Sequence, residues 1–381
     1  MATSIEEDLA RLCRFVSDVS AAEAGGRTGG KRDLILDYVI DTVRTTEPTP
    51  IFEVEVTIDG RARTIFLKLD GRGRWGSIKG RTALALLASV ANRVGSGTTI
   101  VESTSGNLGI ALAEICREIG VSFTAVVDSR LPPAMLAKLT DCGARLVDAG
   151  GPDDSYYLLR RIARVRQILR DDPYSVWTNQ YENPANVAVH RWWTGHELDR
   201  QLTPDLQVMF APVSTGGSFV GVRACLSAAR PELEFVAVDV AGSTICGGPP
   251  GRRLLTGIGA SKPSVFLGQT GWPRHVTVPD VEGIATCRAL AADVGVGVGG
   301  SSGATIAGCL RFLHEHPEVS RAVCICPDMG SNYQETLYND EWLLEHGAAQ
   351  ALGRPSVGGQ KIHFAARPMR HGPEQRIEES R

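Results

Sequence analysis

The stretch Trp75-Gly76-Ser77-Ile78-Lys79-Gly80-Arg81 places one lysine between a glycine turn and an apolar segment with helical periodicity. A lysine held in such a place can lose its proton more easily than a surface lysine, and its amine can then form a Schiff base with an aldehyde. Taken alone, the pattern also suits a solvated lysine at the start of a helix. Three further glycine-punctuated loops follow along the chain, and they favour the chemical interpretation.

The composition limits the class of protein. The chain has 381 residues, of which 43% are hydrophobic and 22% charged, and its net charge is −3. This length predicts two domains, and the slight negative charge argues against a nucleic-acid partner, which usually needs a basic face. No apolar run reaches the roughly 18 residues that span a bilayer, and the acidic start of the chain is unlike a secretory signal. We therefore expect a cytoplasmic protein without a membrane partner.

The cysteines and histidines form no metal-binding pattern. None of the 9 cysteines belongs to a Cys-x-x-Cys pair, and Cys324 and Cys326 flank one residue of an apolar run, as in a buried strand. His314 and His316 are two residues apart on a predicted helix, so they face different directions. We expect reduced thiols, as in the cytoplasm, and no bound metal.

Short apolar runs alternate with segments of helical period through the body of the chain. The predicted strands are 51–57 and 64–69, which form a hairpin about Asp59-Gly60, and 99–101, 123–127, 145–147, 207–211, 235–238 and 322–326. The predicted helices are 80–94, 107–119, 133–142, 154–170, 185–201, 217–229, 281–293 and 303–315. This alternation predicts an α/β fold with mostly parallel, doubly wound sheets, in which ligands bind where strands end and helices begin.

The three later loops each lie where a helix is predicted to begin. Ser103-Thr104-Ser105-Gly106-Asn107-Leu108-Gly109 offers hydroxyl, amide and carboxamide groups to a carboxylate or a phenolic oxygen. Ser214-Thr215-Gly216-Gly217-Ser218 offers hydroxyl and amide groups to a phosphate, although it is not a Walker loop. Gly299-Gly300-Ser301-Ser302-Gly303-Ala304 offers a serine to a heterocyclic nitrogen, with Ser302 as the expected helix cap. Each loop alone could be a cap with a tight turn, but the four together suit pyridoxal 5′-phosphate (PLP).

Over roughly residues 52–338 the chain also resembles the fold-type II PLP enzymes of the cysteine synthase and cystathionine β-synthase family. Within it, the resemblance is greatest to the siderophore 2,3-diaminopropionate-pathway group, which acts on O-phosphoserine with glutamate as the amine donor. Leu108 and the arginine-rich segment 159–165 are like that group. Gly80 departs from the family, which usually has Asp after the lysine, and we expect a looser charge contact there.

The resemblance assigns roles to individual residues. Lys79 is the Schiff-base lysine and general base, Asn107 faces the phenolic oxygen of PLP, and Ser301 contacts its ring nitrogen. The residues expected to bind the cofactor phosphate are Ser214, Thr215, Gly216, Gly217 and Ser218. Those expected at the substrate are Thr104, Ser105, Gly106, Gln180 and Gly257. The segment Pro327–Gly330 is expected to close the ring-nitrogen side.

The organisation that we expect has four parts. Residues 1–47 form an N-terminal helical extension, with helices at 4–20 and about 32–44. Residues 73–184 form the smaller α/β domain, with the lysine and asparagine loops. Residues 48–72 and 185–347 form the larger α/β domain, with the phosphate loop and Ser301. Residues 348–381, rich in Gly, Pro, Arg and Gln, predict a flexible tail.

The resemblance implies an enzyme of amino-acid biosynthesis in secondary metabolism, with small amino acids as substrates and a homodimeric assembly. We expect β-elimination from an O-activated L-serine, with O-phospho-L-serine as the expected substrate. Arg130, Arg252 and Arg253 are the candidates for recognising its phosphate. The resulting aminoacrylate would capture an amine such as L-glutamate. A cysteine synthase that uses O-acetyl- or O-phosphoserine and sulfide remains an alternative. So do a serine/threonine dehydratase and a PLP-binding protein without catalytic activity.

Overall fold

Two helix-flanked β-sheets make up the part of the chain that the structure describes. The structure is a computed structural model, and it describes residues 30–104, 106–151 and 156–367. The strands are β1 (Ile51–Ile58), β2 (Arg61–Leu69), β3 (Thr99–Ser103), β4 (Ser122–Val127), β5 (Arg145–Asp148), β6 (Ser175–Trp177), β7 (Val208–Pro212), β8 (Glu234–Val240), β9 (Arg274–Val278), β10 (Arg321–Cys326), β11 (Ser356–Val357), β12 (Gln360–Lys361) and β13 (Ala365–Ala366).

The helices connect these strands and cover the sheets. They are α1 (Lys31–Thr45), α2 (Lys79–Val90), α3 (Asn107–Glu118), α4 (Pro133–Asp141), α5 (Tyr157–Asp171), α6 (Ala185–Val189), α7 (His196–Gln201), α8 (Gly217–Ala229), α9 (Val265–Thr270), α10 (Asp280–Val294), α11 (Gly300–Glu315) and α12 (Asp340–Glu345). A π-helix (His190–Gly195) joins α6 to α7. Short 3-10 helices occupy Asp70–Arg72, Ala91–Arg93, Gly330–Tyr333 and Ala349–Leu352.

The smaller sheet is parallel throughout, with the strand order β5-β4-β3-β6. Its central strands β3 and β4 are almost continuously buried, and α5 packs against both of them. Such unbroken burial is expected of parallel strands that have helices on their faces. The carboxyl ends of β3 and β6 lead directly into the loops that carry Thr104 and Gln180.

The larger sheet has the order β13-β1-β2-β10-β7-β8-β9. Strands β2, β10, β7, β8 and β9 are parallel, whereas β1 pairs antiparallel with β2 and with β13. Helix α11 contacts β7, β8, β9 and β10, so it covers the middle of this sheet. The carboxyl end of β7 leads to Ser214, and that of β10 leads to Pro327 and Asp328.

The predicted α/β fold with mostly parallel, helix-flanked sheets is confirmed. The hairpin forms as predicted, with Asp59 and Gly60 at φ angles of 50° and 73° in its turn. Helix α1 matches the second predicted helix of the extension, and the first, at 4–20, lies outside the described residues. The strands of the smaller sheet all lie within 73–184, while the division of the chain into domains at these bounds stays a prediction.

The structure corrects the flexible tail that was predicted from Ala348 onward. Residues up to Arg367 are described, and β13 pairs with β1. Ile362 and Phe364 are buried in the main core, and the Arg354 guanidinium donates to both oxygens of Asp293 at 2.6 and 2.8 Å. Because the composition of residues 348–381 is mostly polar, it does not indicate these few anchoring side chains.

Some elements carry too little periodicity to be predicted from the sequence. Strand β6 has three residues, and β9 is an edge strand whose side chains are mostly exposed, while α9 has six residues. The helix predicted over 185–201 is divided by the π-helix. Beside this division, a Cβ on Gly221 of α8 would lie 2.3 Å from the Val187 carbonyl oxygen, so the two backbones pack closely there.

Candidate active site

Lys79 is the first residue of α2, and contacts with the end of β10 fix its position. The Ile78 amide donates to the Pro327 carbonyl at 2.8 Å, and Ser77 forms a β-bridge with Asp328. These contacts tie the lysine run to a strand of the larger sheet, although α2 packs on α3 beside the smaller sheet. Lys79 therefore lies where the two sheets and their helices meet.

Gly80 allows Trp75 to pack directly against the start of α2. A Cβ on Gly80 would lie 2.1 Å from Cε3 of Trp75, so no larger residue fits without moving the indole. The sequence led us to expect a loosened charge contact at Gly80. The structure adds the physical reason for the glycine, since the buried Trp75 ring occupies the space of the missing side chain.

The Lys79 ammonium is less stable than that of an ordinary lysine. Burial lowers the pKa of Lys79 from 10.5 to about 8, and the nearby Asp328 carboxylate opposes this shift. At pH 7 about a tenth of such amines are neutral. A neutral amine is the form that attacks an aldehyde or accepts a proton from carbon.

Lys79 lines a cavity whose empty space, counted together with the open solvent at its mouth, is about 900 Å³. The structure brings eight predicted site residues to its wall: Lys79, Thr104, Asn107, Gln180, Ser214, Thr215, Gly257 and Ser301. Gly106, Gly216, Gly217 and Ser218 belong to the same loops but do not line the cavity, and Ser105 lies outside the described residues. Leu108, which favoured the diaminopropionate group, is also on the wall.

The loop that follows β7 forms a cradle at the start of α8. Gly216 adopts a left-handed conformation with φ 88°, and a Cβ on Gly217 would lie 2.4 Å from Oδ1 of Asn186. The first helical bond of α8 runs from the Val220 amide to the Gly216 carbonyl, so the preceding amides have no partner within the helix. The Gly217 amide donates only to Oγ1 of Thr215, at 3.4 Å. Amides at a helix start and the positive end of the helix dipole suit a phosphate.

Asn107, the first residue of α3, belongs to a buried polar group with Asp328 and Tyr333. Its Nδ2 donates to Oδ2 of Asp328 at 2.7 Å, and the Tyr333 hydroxyl donates to the same oxygen at 2.6 Å. Burial raises the pKa of Asp328, although both donors and Lys79 oppose this. Sequence reasoning had not assigned a role to either the Asp328 carboxylate or Tyr333.

The loop after β3 is held by its own side chains and by the loop after β6. Oγ1 of Thr104 accepts from the amides of Gly106 and Gly109 at 3.1 and 2.9 Å. Nε2 of Gln180 donates to the Ser103 carbonyl at 2.8 Å. The two predicted carboxylate-binding residues therefore belong to one connected hydrogen-bonded unit.

Glu102 supports this unit from beneath, and the sequence did not identify it. Its buried carboxylate accepts from Nε1 of Trp177 at 3.0 Å, from the Thr178 hydroxyl at 2.5 Å and from the Gln180 amide at 3.2 Å. Burial raises the pKa of Glu102, and these donors oppose the shift. A glutamate directly after the apolar pair Ile100-Val101 of a buried strand is a signal that could have revealed it.

Ser301 lies in the first turn of α11, with its residue buried at the cavity wall. The helix is preceded by Gly299, so Ser302 lies inside the helix and the expectation that it caps the helix is wrong. Gly257 also lines the cavity, in a loop with φ 78° at that residue. Both residues line the cavity, and their roles stay predictions.

Three arginines add positive charge to the same cavity. They are Arg130, Arg161 and Arg253. Arg161 is 4% exposed, and its Nε lies 3.2 Å from Oδ2 of Asp128. Arg252, a candidate from the sequence, does not line this cavity, whereas Arg161 was not a candidate. Its place among Leu158, Ile162 and Val165 on the buried face of α5 is the signal that could have found it.

The residues present fit PLP. Lys79 would hold the aldehyde carbon, the amides at the start of α8 would hold the phosphate, and Asn107 and Ser301 would contact the phenolic oxygen and the ring nitrogen. The glycine cradle at Gly216 and Gly217 is the structural observation that carries this fit, because a side chain at either position would meet its neighbours at 2.5 Å or less. A serine leaves the ring nitrogen less firmly protonated than a carboxylate would.

Residues 30–104, 106–151 and 156–367 contain neither a metal-binding cluster nor a membrane-spanning helix. No three His, Cys, Asp or Glu side chains of this part lie together in a way that could hold a metal ion. No helix in the same ranges combines the length and apolar character that crossing a membrane requires.

Known proteins resemble the chain over most of its length. A protein from Ralstonia nicotianae described as N-(2-amino-2-carboxyethyl)-L-glutamate synthase is 38% identical over 318 residues, which cover 83% of this chain and 94% of that protein. A protein of the same description from Cupriavidus metallidurans is 34% identical over 325 residues, covering 84% and 94%. The crystal structure of the O-acetylserine-dependent cystathionine β-synthase from Helicobacter pylori is 27% identical, with a TM-score of 0.70 and coverage of 82% and 99%.

The family itself is identified by residues 44–328, which match the description "Pyridoxal-phosphate dependent enzyme". The match spans more than half of the chain and includes Lys79 and each of the three later loops. The predicted family and the predicted cofactor are therefore confirmed. The chain belongs to the pyridoxal-phosphate-dependent enzymes.

Proposed function

We propose that the protein is a β-replacement synthase that joins the three-carbon skeleton of O-phospho-L-serine to the amino group of L-glutamate. The observation that carries this proposal is the surplus of positive charge in the Lys79 cavity. The cofactor phosphate and the substrate α-carboxylate have their own loops, yet Arg130, Arg161 and Arg253 also line the wall. An arginine is a strong partner for a phosphate leaving group, whereas an acetyl group needs no cation.

The names of the two curated relatives support the amine. N-(2-amino-2-carboxyethyl)-L-glutamate is glutamate whose nitrogen carries the carbon skeleton of serine without its oxygen. Replacement of the β-substituent of an activated L-serine by the glutamate amine yields this compound. The C–O bond to phosphate breaks, the C–N bond forms, phosphate leaves with the electron pair, and the amine loses a proton.

The chain's own residues would transfer the proton and orient the substrate. When bound, PLP supplies a sink for the electron pair that is released at the α-carbon. The Lys79 amine takes the α-proton and later returns it, which a pKa of about 8 allows near neutral pH. Thr104 and Gln180 orient the α-carboxylate from the loops after β3 and β6, so the α-hydrogen is presented to Nζ.

The test uses purified PLP-loaded enzyme with O-phospho-L-serine or O-acetyl-L-serine, each given L-glutamate, sulfide or no nucleophile. We expect phosphate release beyond one equivalent per active site to depend on L-glutamate, and we expect the condensed amino acid by mass spectrometry. Lys79→Ala is the matched control and should release no phosphate. Faster product formation from O-acetyl-L-serine and sulfide would instead identify a cysteine synthase, and pyruvate without any nucleophile would identify a dehydratase.

We also propose that the enzyme is a cytoplasmic homodimer. Eight cysteines of the described residues are outside any disulfide, which suits a reducing compartment. The family resemblance supports the dimer. Light scattering after size-exclusion chromatography tests it, and a monomer at micromolar concentration would contradict it.

A further inference from the structure

A second cavity adjoins the one that contains Lys79. It has about 1160 Å³ of empty space and lies against α12, the 3-10 turn at Gly330–Tyr333 and the loop before Gly257. Four residues line both cavities: Arg130, Arg253, Thr256 and Tyr333. The two spaces are therefore neighbours across a wall only one layer of side chains thick, and a small molecule in the second lies next to the reacting centre.

The lining of the second cavity is cationic. Arg130, Arg252 and Arg253 face it, and no acidic side chain of the described residues does. Arg252 makes no hydrogen bond or ion pair with the described part of the chain. Arg130 lies beside Asp128, with 3.5 Å between its Nε and Oδ1 of the carboxylate, whereas Arg252 and Arg253 share the wall without an ion pair to the described residues. A bound anion relieves the repulsion between these two arginines.

Arg253 shows this repulsion most clearly. Burial lowers its pKa, and the neighbouring charges of Arg130 and Arg161 contribute to the lowering, against Asp239 and Asp280. Its Nε is buried without a hydrogen-bond partner. A buried guanidinium nitrogen with an unused donor is costly unless a ligand completes its contacts.

The anions of the first substrate and the cofactor do not need this second cavity. The loop at the start of α8 suits the cofactor phosphate, and the Thr104 and Gln180 loops suit the first α-carboxylate. A nucleophile must bring its amine to the β-carbon in the first cavity, while the rest of the molecule stays outside that cavity. Two carboxylates on that nucleophile match two arginines that are adjacent in the chain and face the same space.

We infer that the second cavity binds the dicarboxylic amino acid that acts as nucleophile, with Arg252 and Arg253 holding its carboxylates. The inference rests on the proposed function and deepens it by assigning a binding site to the second substrate. Arg253 also faces the first cavity, where the phosphate leaving group is released. Phosphate and the dicarboxylic amine therefore compete for this guanidinium, and phosphate leaves before the amine is fully bound.

The experiment separates the two halves of the reaction. PLP-loaded enzyme is mixed first with O-phospho-L-serine alone, and the change in cofactor absorbance gives the concentration for half-maximal conversion. L-Glutamate is then added, and the return of the absorbance to its starting value gives the L-glutamate concentration for half-maximal recovery. The variants are Arg252→Gln and Arg253→Gln, and Arg93→Gln is the control, because Arg93 is exposed and lines neither cavity.

We expect Arg252→Gln to raise the half-maximal L-glutamate concentration by about tenfold or more, as the loss of a charged hydrogen bond does. Its first half-reaction should stay within about twofold of the wild type. Its preference for L-glutamate over L-glutamine should fall, because the amide probe lacks the side-chain carboxylate. Arg253→Gln should weaken both halves, and inorganic phosphate should compete with L-glutamate in the wild type.

The possible failures point to different errors. If L-glutamate does not restore the absorbance of the wild-type enzyme, the proposed function is wrong in its nucleophile. If it does so but Arg252→Gln behaves like Arg93→Gln, the assignment of the second cavity is overturned. Phosphate inhibition that high L-glutamate does not relieve would overturn the sharing of Arg253.

Discussion

Lys79 begins a helix inside a cavity, and both circumstances favour its neutral amine. Burial removes the water that would stabilise the ammonium, and the positive end of the helix dipole adds to this effect. Asp328 is the group that acts in the opposite direction, and it also orders Asn107 through the bond at 2.7 Å. One buried carboxylate thus affects both the lysine and the residue that would face the phenolic oxygen of PLP.

The protonation of Lys79 predicts how the cofactor-free protein takes up PLP. Because only the neutral amine attacks the aldehyde, the rate of incorporation should rise with pH through a midpoint near about 8, the pKa of Lys79. Asp328 raises this pKa, so Asp328→Asn should move the midpoint to lower pH. Stopped-flow absorbance from pH 6 to 10 measures it, with the exposed Asp205→Asn as control. A midpoint above pH 10, or one unmoved in Asp328→Asn, would contradict the account.

The residues that sequence reasoning found are those whose neighbours in the chain reveal them. Lys79, Asn107 and Ser301 each stand at or near a helix start beside glycine, so their setting is local. Asp328 and Asn107 are 221 residues apart in the chain, and no local sequence pattern indicates that they are in contact. Arg161 likewise meets Asp128 only after β4 and α5 have packed.

Helix α2 is anchored by a buried ion network on its inner side. Arg81 lies 2.8 Å from Glu197 of α7 and 3.5 Å from Asp70, and Lys68 of β2 also pairs with Glu197. The Thr49 amide donates to Glu197 as well, at 2.8 Å. Because Arg81 is two residues from Lys79, this network joins the lysine helix to elements of the larger sheet. The sequence shows each charge but not their meeting point.

The network predicts a large loss of stability in Glu197→Gln. The change leaves Lys68 and Arg81 buried with only Asp70, and breaking a buried pair costs about 3–5 kcal/mol. Burial would raise the pKa of Glu197, but Arg81 and Lys68 lower it below 4.5. Its contribution is therefore present above that pH and fades as the pH falls through the lowered value. Urea unfolding at pH 7 and at pH 4 measures both effects.

An exposed glutamate provides the control for this measurement. Glu234 pairs with Arg274 at 2.7 Å on the surface, and Glu234→Gln should cost less than about 1 kcal/mol. Equal losses for Glu197→Gln and Glu234→Gln would show that the buried network does not anchor α2.

At the scale of the whole molecule, the alternation of strands and helices was sufficient to predict the fold class. In each long element the apolar residues recur with the spacing typical of a helix or a strand. The last part of the chain could not be predicted in this way. Between Ala348 and Arg367 the anchoring residues are few and are spaced among glycines and polar residues. Their burial depends on a surface made by β1 and α10, which lie far away in the chain.

This closing segment predicts different results for two truncations. A chain ending at Arg367 keeps every described contact, so its unfolding midpoint should match that of the full chain. A chain ending at Gly347 loses the β13 pairing and the buried Ile362 and Phe364, and it should be destabilised or fail to fold. Phe364→Ala tests the same segment without a truncation that can prevent folding, since removal of a buried Phe costs about 3–5 kcal/mol. Urea unfolding measures all three, and a wild-type midpoint for Phe364→Ala would mean that residues 348–367 are the flexible tail after all.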